Sequence, residues 1–240
     1  MPVKANIGGV LDFSSIDYPK KIASVIFFSG CNFRCPFCHN PELIEGKGVM
    51  ETDSIIAELS KYREFVDAVV ITGGEPTLQP EAVKDFCKKL KPLGFKIKLD
   101  TNGSNPQFIQ ELLEENLIDF IAMDVKAPFT KEGYEKVSKA GKFVDNVKRS
   151  YRIILDSGIA HEFRMPVVPK LNEQMLDDVA KEVKDSEKFV LEQFSGGRCY
   201  NKAYNAVDSP SEEQMIGFAK KFSNKEVRIR TKQGEKTISK

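Results

Sequence analysis

The sequence predicts an α/β fold, a partial (βα)6 barrel on a parallel sheet with an open lateral face. Three observations predict it. Short apolar, β-favouring runs alternate with helically spaced ones about six times along 240 residues, the pattern of a parallel α/β domain. No composition break, internal repeat or linker divides them, so residues 1–240 read as one domain with a sizeable core. Six units are fewer than the eight of a closed barrel, which leaves the barrel open.

The elements follow in order. Residues 1–20 form a lead-in, with a short strand or hairpin over 3–20 and a turn at Asp17-Tyr18-Pro19. The βα core spans 21–195. Its first strand is 22–29, followed by a loop over 30–50 broken by Pro41, Gly46 and Gly48. Thr52 is suited to cap a helix that carries Ile55, Ile56, Leu59, Tyr62 and Phe65 at helical spacing. Strands are expected at 68–72, 95–100, 119–124, 161–168 and 188–194. Helices are expected from Pro80 to about Leu90, over 105–116, and over 130–157 with a break near Gly141; a further one is capped by Asn172. Residues 196–240 supply a loop, a helix and a closing strand at 226–230. There Ser209-Pro210-Ser211-Glu212 reads as a capping box with proline at the first helical position.

Charge is nearly balanced, 36 basic against 35 acidic residues, which gives no electrostatic case for a nucleic acid or an anionic membrane. The basic stretches at 220–221 and 225–232 read as solvated surface. No run approaches the roughly 18 apolar residues of a membrane span. The N-terminus lacks the charged-then-apolar pattern of a secretory signal, so the expectation is a cytoplasmic protein. Five thiols in such a chain, three of them clustered, point to metal or redox chemistry rather than a disulfide framework. Cys87 falls on the apolar side of its helix, as an inert core thiol does. Cys199 falls in a loop that cannot be assigned; a lid or a partner-binding loop is the expectation for 195–208.

Chemistry in parallel α/β barrels gathers at the C-terminal ends of the strands. Here those ends carry Cys31, Cys35 and Cys38; Gly73-Gly74-Glu75-Pro76; Asp100-Thr101-Asn102-Gly103; Met123-Asp124-Val125-Lys126; Arg164; and Gln193-Phe194. Any one of these alone could be a turn; their coincidence on one rim argues for a site. The cysteines admit three readings. Cys35-Pro-Phe-Cys38-His39 fits a c-type haem attachment, though Cys31 is then unexplained and the export signal is missing. Cys31, Cys35, Cys38 and His39 could hold zinc, at the cost of strain from adjacent ligands. Three thiolates could hold a [4Fe–4S] cluster with one iron left for a chelating small molecule. In that reading Phe33, Pro36 and Phe37 shield the cluster from water.

Cys-x3-Cys-x2-Cys after the first strand, with Phe37 before the third cysteine, resembles the radical S-adenosylmethionine (SAM) enzymes, and Gly73-Gly74-Glu75-Pro76 and the partial barrel extend the resemblance over most of the chain. Ile16-Asp17-Tyr18-Pro19, Gly30 to Pro41 and Asp100-Thr101-Asn102-Gly103 are similar to the glycyl-radical-enzyme activases, most of all those that serve anaerobic ribonucleoside-triphosphate reductase. The resemblance implies that Cys31, Cys35 and Cys38 ligate one [4Fe–4S] cluster and that SAM chelates the fourth iron. It implies SAM contacts from Gly73, Gly74, Glu75, Asp100, Thr101, Asp124, Lys126 and Arg164, and a monovalent cation beside Asp100, Thr101, the Met123 carbonyl and Asp124. Phe37, His39 and Asn40 would pack around the cluster loop. It further implies reductive cleavage of SAM to a 5′-deoxyadenosyl radical that removes a glycine α-hydrogen from a partner enzyme, and a low-potential donor such as flavodoxin or ferredoxin. Activation of a pyruvate formate-lyase type enzyme, or radical chemistry on a small molecule, are the alternatives. With only Cys87 and Cys199 outside the motif, no second ferredoxin-like cluster is expected.

Overall fold

The structure, a computed structural model, describes residues 2–238. Met1 of the expected lead-in and residues 239–240 of the expected C-terminal segment lie outside the described residues. The chain runs β1 (Lys4–Tyr18), β2 (Lys21–Phe28), α1 (Pro41–Ile44), β3 (Val49–Glu51), α2 (Thr52–Ser60), β4 (Ala68–Gly73), α3 (Pro80–Leu90), β5 (Lys96–Thr101), α4 (Pro106–Glu114), β6 (Phe120–Asp124), α5 (Lys131–Ser138), α6 (Val144–Asp156), β7 (Ala160–Val167), α7 (Leu176–Glu182), β8 (Lys188–Gln193), α8 (Glu212–Ala219), β9 (Glu226–Thr231) and β10 (Gly234–Ile238).

All the strands join one sheet in the order β10-β9-β8-β7-β6-β5-β4-β2-β1-β3. From β2 to β9 every neighbouring pair is parallel. The (βα)6 expectation is met, and β9 adds a seventh parallel strand beside β8. It does not close the barrel: β10 and β3 are the two free edges of the sheet.

Strand alternation gives the sheet two different faces. Outward, Ile26, Phe28, Val69, Ile71, Ile97, Leu99, Ile121, Met123, Phe163, Met165, Phe189 and Leu191 join the main core under the helices. The helices answer with apolar stripes, as in α3, where Ala82, Val83, Phe86, Cys87 and Leu90 are buried. Inward, Ala23, Val25, Ala68, Val70, Phe120 and Ala122 make a small second core. From β5 onward that inner face also carries charge, with Lys98, Asp100, Asp124, Glu162, Arg164, Glu192 and Arg230 beside the apolar Phe120 and Ala122 of β6. The barrel is therefore packed with apolar side chains at one side and lined by charge at the other.

Four local expectations are corrected. The lead-in is one long strand, β1, paired antiparallel with β2 and interrupted by register shifts. Gly8 lets another element pack closely there: a Cβ on it would lie 2.1 Å from Leu43 Cδ2, so α1 packs where a side chain would be. Thr52 lies inside α2 and its hydroxyl bonds the Asp85 carboxylate; Glu51 occupies the cap position. Asn172 does not cap a helix with its side chain. It accepts from Val168 N–H (2.8 Å) and donates to Pro166 O (2.9 Å) and Lys126 O (3.1 Å), tying the end of β7 to the end of β6. The capping box before α8 is built by Ser211 with Gln214, two residues later than the one expected from Ser209.

Candidate active site

Two loops that leave neighbouring parallel strands build the site. The loop after β2 carries the cysteines, and the loop after β4 carries Gly73-Gly74-Glu75. Gly74 N–H donates to Phe28 O (2.8 Å) and Glu75 N–H to Gly30 O (2.7 Å), which zips the two loops together. The glycines make this approach sterically feasible. A Cβ on Gly73, whose φ is +126°, would lie 2.3 Å from Phe28 O, and one on Gly74 2.2 Å from Gly30 O. Helix α1 holds the same loop from its other side, with Gly30 N–H on Leu43 O (2.7 Å) and Cys31 N–H on Ile44 O (3.2 Å).

The site residues expected from the sequence meet in one cavity of about 550 Å³. Its walls carry the three thiols, Phe37, His39, Asn40, Gly73, Gly74, Glu75, Asp100, Thr101, Asp124, Lys126 and Arg164. Met123 is absent from the wall; its side chain points outward against Gly103. His39 faces Phe194, ring centroids 6.0 Å apart.

Glu75 is fully buried. One carboxylate oxygen accepts from Thr77 N–H (3.1 Å), Thr77 Oγ1 (2.6 Å) and Thr101 Oγ1 (2.8 Å); the other accepts from Asn102 N–H (2.6 Å). Burial raises its pKa, and these four donors oppose the rise. Asn102 continues the network, donating to Asn32 Oδ1 (2.9 Å), while Asn32 donates to Ser104 Oγ (2.8 Å). Asn32 lies between Cys31 and Phe33, so this chain of bonds fixes the cysteine loop to the Glu75 loop.

Opposite stands a charged row. Asp100 pairs with Lys98 (2.9 Å) and Arg164 (3.4 Å), and Asp124 pairs with Lys126 (2.7 Å) and Arg164 (3.0 Å). Burial alone would raise Asp124, but Lys126 and Arg164 outweigh it and hold its carboxyl down at about 2. Asp100 is lowered in the same way by Lys98 and Arg164. Of the oxygens expected beside a monovalent cation, the Asp100 and Asp124 carboxylates are thus already paired with three protein cations, and Thr101 Oγ1 donates to Glu75. Lys98 was missed because it sits mid-strand, yet the alternation Lys96-Ile97-Lys98-Leu99-Asp100 puts it on the same face as Asp100.

The thiols are kept neutral when alone. Burial pushes Cys31 up to about 11 and Cys35 up to about 12, against an opposing pull from Lys126, and raises Cys38 as well. Thiolates here therefore need a bound cation or cluster to hold them. Among the described residues no three Cys, His, Asp or Glu side chains are grouped as a single-ion chelate. A loop of three soft thiols, shielded by the buried Phe33 and Phe37 and opening on a cavity with carboxylate and ammonium groups, fits a cluster that carries a polar, chelating cofactor.

Two further segments border the cavity: the 195–208 loop, for which a lid or partner-binding role was the expectation, and the ends of β8 and β9, of which Arg230, Thr231 and Lys232 were not foreseen as site residues. Residues 195–207 lie over the cysteine loop, with Tyr200 N–H on Cys38 O (2.9 Å), Asn201 N–H on Pro36 O (2.9 Å) and Arg198 paired with Glu42 (2.9 Å). Cys199 is buried there, close enough to Cys38 to be influenced by its charge. Glu192, Gln193, Arg230, Thr231 and Lys232 line the far end of the cavity. Arg230 pairs with Glu192 (2.8 Å), Glu162 (3.3 Å) and Glu235 (2.7 Å).

Fold, cysteine loop and cavity together define the class: the chain belongs to the radical SAM superfamily, whose sequence pattern matches residues 25–183. Within it, the chain groups with the glycyl-radical enzyme activating enzymes. A protein of Methanocaldococcus jannaschii, provisionally named a glycyl-radical enzyme activating enzyme, is 38% identical over 241 residues, covering 97% of this chain and 98% of that one. The pyruvate formate-lyase-activating enzyme of Clostridium pasteurianum is 29% identical over 202 residues, covering 79% of this chain and 82% of its own. Among solved structures, TYW1 with a lysine-pyruvate adduct bound shares the fold, with a TM-score of 0.65 at 15% identity over 86% of this chain and 75% of that chain. The chain is accordingly an oxidoreductase-type enzyme that uses a [4Fe–4S] cluster and S-adenosylmethionine. Among the described residues no helix is long and apolar enough to cross a membrane.

Proposed function

We propose that this chain generates a glycyl radical on anaerobic ribonucleoside-triphosphate reductase, in the cytoplasm, with a low-potential flavodoxin or ferredoxin as electron source. The observation that carries the reading is the single cavity shared by three thiols of one loop, Glu75 and the Asp100–Arg164–Asp124–Lys126 row. When bound, the cluster and SAM supply one-electron cleavage of a sulfonium to methionine and a 5′-deoxyadenosyl radical that can take an α-hydrogen from glycine.

The protein's own groups bind and orient. Cys31, Cys35 and Cys38 would hold three irons as thiolates, a charged form that Lys126 favours. Gly73 and Gly74 would let backbone approach the amino acid moiety of SAM, and Glu75, held by four donors, would accept from its ammonium group. Arg164 and Lys126 offer cations to its carboxylate, and Phe33 and Phe37 keep water from the cluster. The open edge of the sheet leaves room for a segment of a protein substrate.

A second reading, activation of a pyruvate formate-lyase type enzyme, is favoured by the name of the Clostridium pasteurianum relative. Anaerobic reconstitution with iron, sulfide, SAM and dithionite tests both. The expected result is 5′-deoxyadenosine and a glycyl radical signal by electron paramagnetic resonance on the reductase. A signal on the formate-lyase alone would transfer the function to the second reading. No deoxyadenosine would sink both.

A further inference from the structure

The two oxygens of Glu75 are not equivalent. Oε1 already accepts three hydrogen bonds, from Thr77 N–H, Thr77 Oγ1 and Thr101 Oγ1. Oε2 accepts one, from Asn102 N–H at 2.6 Å. A carboxylate oxygen takes about two donors, so Oε2 is the oxygen with an acceptor direction left for a ligand. Its position is set by a single backbone N–H. Whatever places Asn102 therefore places the receptive oxygen of the site.

Asn102 is held from two sides. It lies in the tight turn 101–104 after β5, where Gly103 has φ +76° and a Cβ on it would lie 2.5 Å from Met123 Cε. From α6, Ser150 Oγ donates to Gly103 O (2.7 Å) and Asn146 Nδ2 to Ser104 O (2.9 Å). Towards the cysteine loop, three residues close a ring. Asn102 Nδ2 donates to Asn32 Oδ1 (2.9 Å), Asn32 Nδ2 donates to Ser104 Oγ (2.8 Å), and Ser104 N–H donates to Asn102 Oδ1 (2.9 Å). Asn102 and Ser104 are buried, so an opened ring would leave an amide short of a partner away from water. Among the described residues, the two Asn32 bonds are the hydrogen bonds that join the cysteine loop to this turn. Asn102 lines the cavity, whereas Asn32 and Ser104 do not. Asn32 thus stands one residue from Cys31, outside the ligand's reach, and acts on the cavity only through Asn102.

We propose that Asn32 is a positioning residue for the cofactor: through Asn102 it holds Glu75 Oε2 where that oxygen accepts from the amino group of SAM, which makes the cysteine loop part of amino-group recognition. The inference rests on the reading of Glu75 given above. The cations that face the cofactor's carboxylate, Arg164 and Lys126, are held by Asp100 and Asp124 and not by this ring. Opening the ring should therefore cost recognition of the amino group and spare the rest of the ligand.

The test titrates two ligands into the cluster-loaded enzyme by calorimetry. One is S-adenosylhomocysteine, a thioether with no sulfonium to cleave. The other is its deaminated analogue, which keeps the carboxylate and the adenosine and lacks the amino group. The ratio of their affinities reads the amino group. Asn32→Ala is expected to lower that ratio about tenfold, with the analogue bound as tightly as by wild type. Asn32→Asp is expected to restore the ratio, because a carboxylate can accept from both Asn102 Nδ2 and the Ser104 hydroxyl. Ser104→Ala removes the acceptor of Asn32 Nδ2 and leaves the Asn102 bond. It is expected to give an intermediate loss, and it carries the test should Asn32→Ala not take up a cluster. An unchanged ratio in the alanine variants, or equal weakening of both ligands, would overturn the proposal and leave the reading of Glu75 intact. Wild-type enzyme that binds the two ligands equally would overturn Glu75 as the amino-group acceptor and the proposal with it.

Discussion

Glu75 shows how much one side chain can be asked to do. Its two oxygens each accept from a backbone N–H, Thr77 on one and Asn102 on the other. A carboxylate satisfies both, but an amide cannot, because its NH2 must face one of those donors. Glu75→Gln is therefore expected to cost about 1–3 kcal/mol in urea unfolding and to weaken SAM binding; equal stability would show that the loop relaxes around the change. The charged row makes a pH prediction. The Asp124 carboxyl is held at about 2, below its ordinary 3.8. Its stabilising contribution is fully present above pH 4 and is lost as the pH falls through about 2. The change is on the order of 2 kcal/mol, and Asp124→Asn should flatten that part of a thermal melting profile. The thiols, Glu75 and Asp100 were legible because a distinct residue type stood at a strand end, and Arg164 because it is a lone arginine among the apolar residues of strand β7. Asn32, Asn102 and Ser104 were not, since amides and hydroxyls near glycine read as ordinary turn residues until the fold brings residues 32 and 102 together.

At the scale of the element, alternation of strands and helices was legible throughout, because buried parallel strands and amphipathic helices follow from residue period alone. Helix starts were less so. Ser209 and Ser211 flank Pro210, and each has an acceptor-bearing residue three positions on, Glu212 or Gln214. Local sequence permits either cap; the packing of α8 with Met215 and Ala219 inward selects Ser211. Ser211→Ala is accordingly expected to lower stability by about 1 kcal/mol, and Ser209→Ala to leave it unchanged, in denaturant titrations. The reverse order would put the helix start where the sequence first suggested it. The β1 strand was hidden for a different reason. A short strand or hairpin over 3–20 is the expectation, and the glycines at 8 and 9 do not signal a strand, but the space a side chain would fill at Gly8 is taken by Leu43.

At the scale of the molecule, the open sheet places its two ends in different roles. The β2–β4 end holds the cysteine and Glu75 loops together through backbone bonds. The β8–β9 end is held by charge, since Arg230 on β9 bridges Glu162 on β7, Glu192 on β8 and Glu235 on β10. Glu162 is 3% exposed and has no other cation within bonding distance in the pairs described. Removing Arg230 strands a buried carboxylate, and breaking a buried pair in this way costs about 3–5 kcal/mol. Arg230→Met should therefore lower the melting temperature and speed proteolytic cleavage in the turn before Gly234, because the β9–β10 hairpin loses its anchor. Arg230→Met with Glu162→Gln should recover most of the loss, since the stranded charge is gone. If the single variant melts with wild type, the hairpin is held by its strand pairing alone, and the far wall of the cavity does not depend on the ion network.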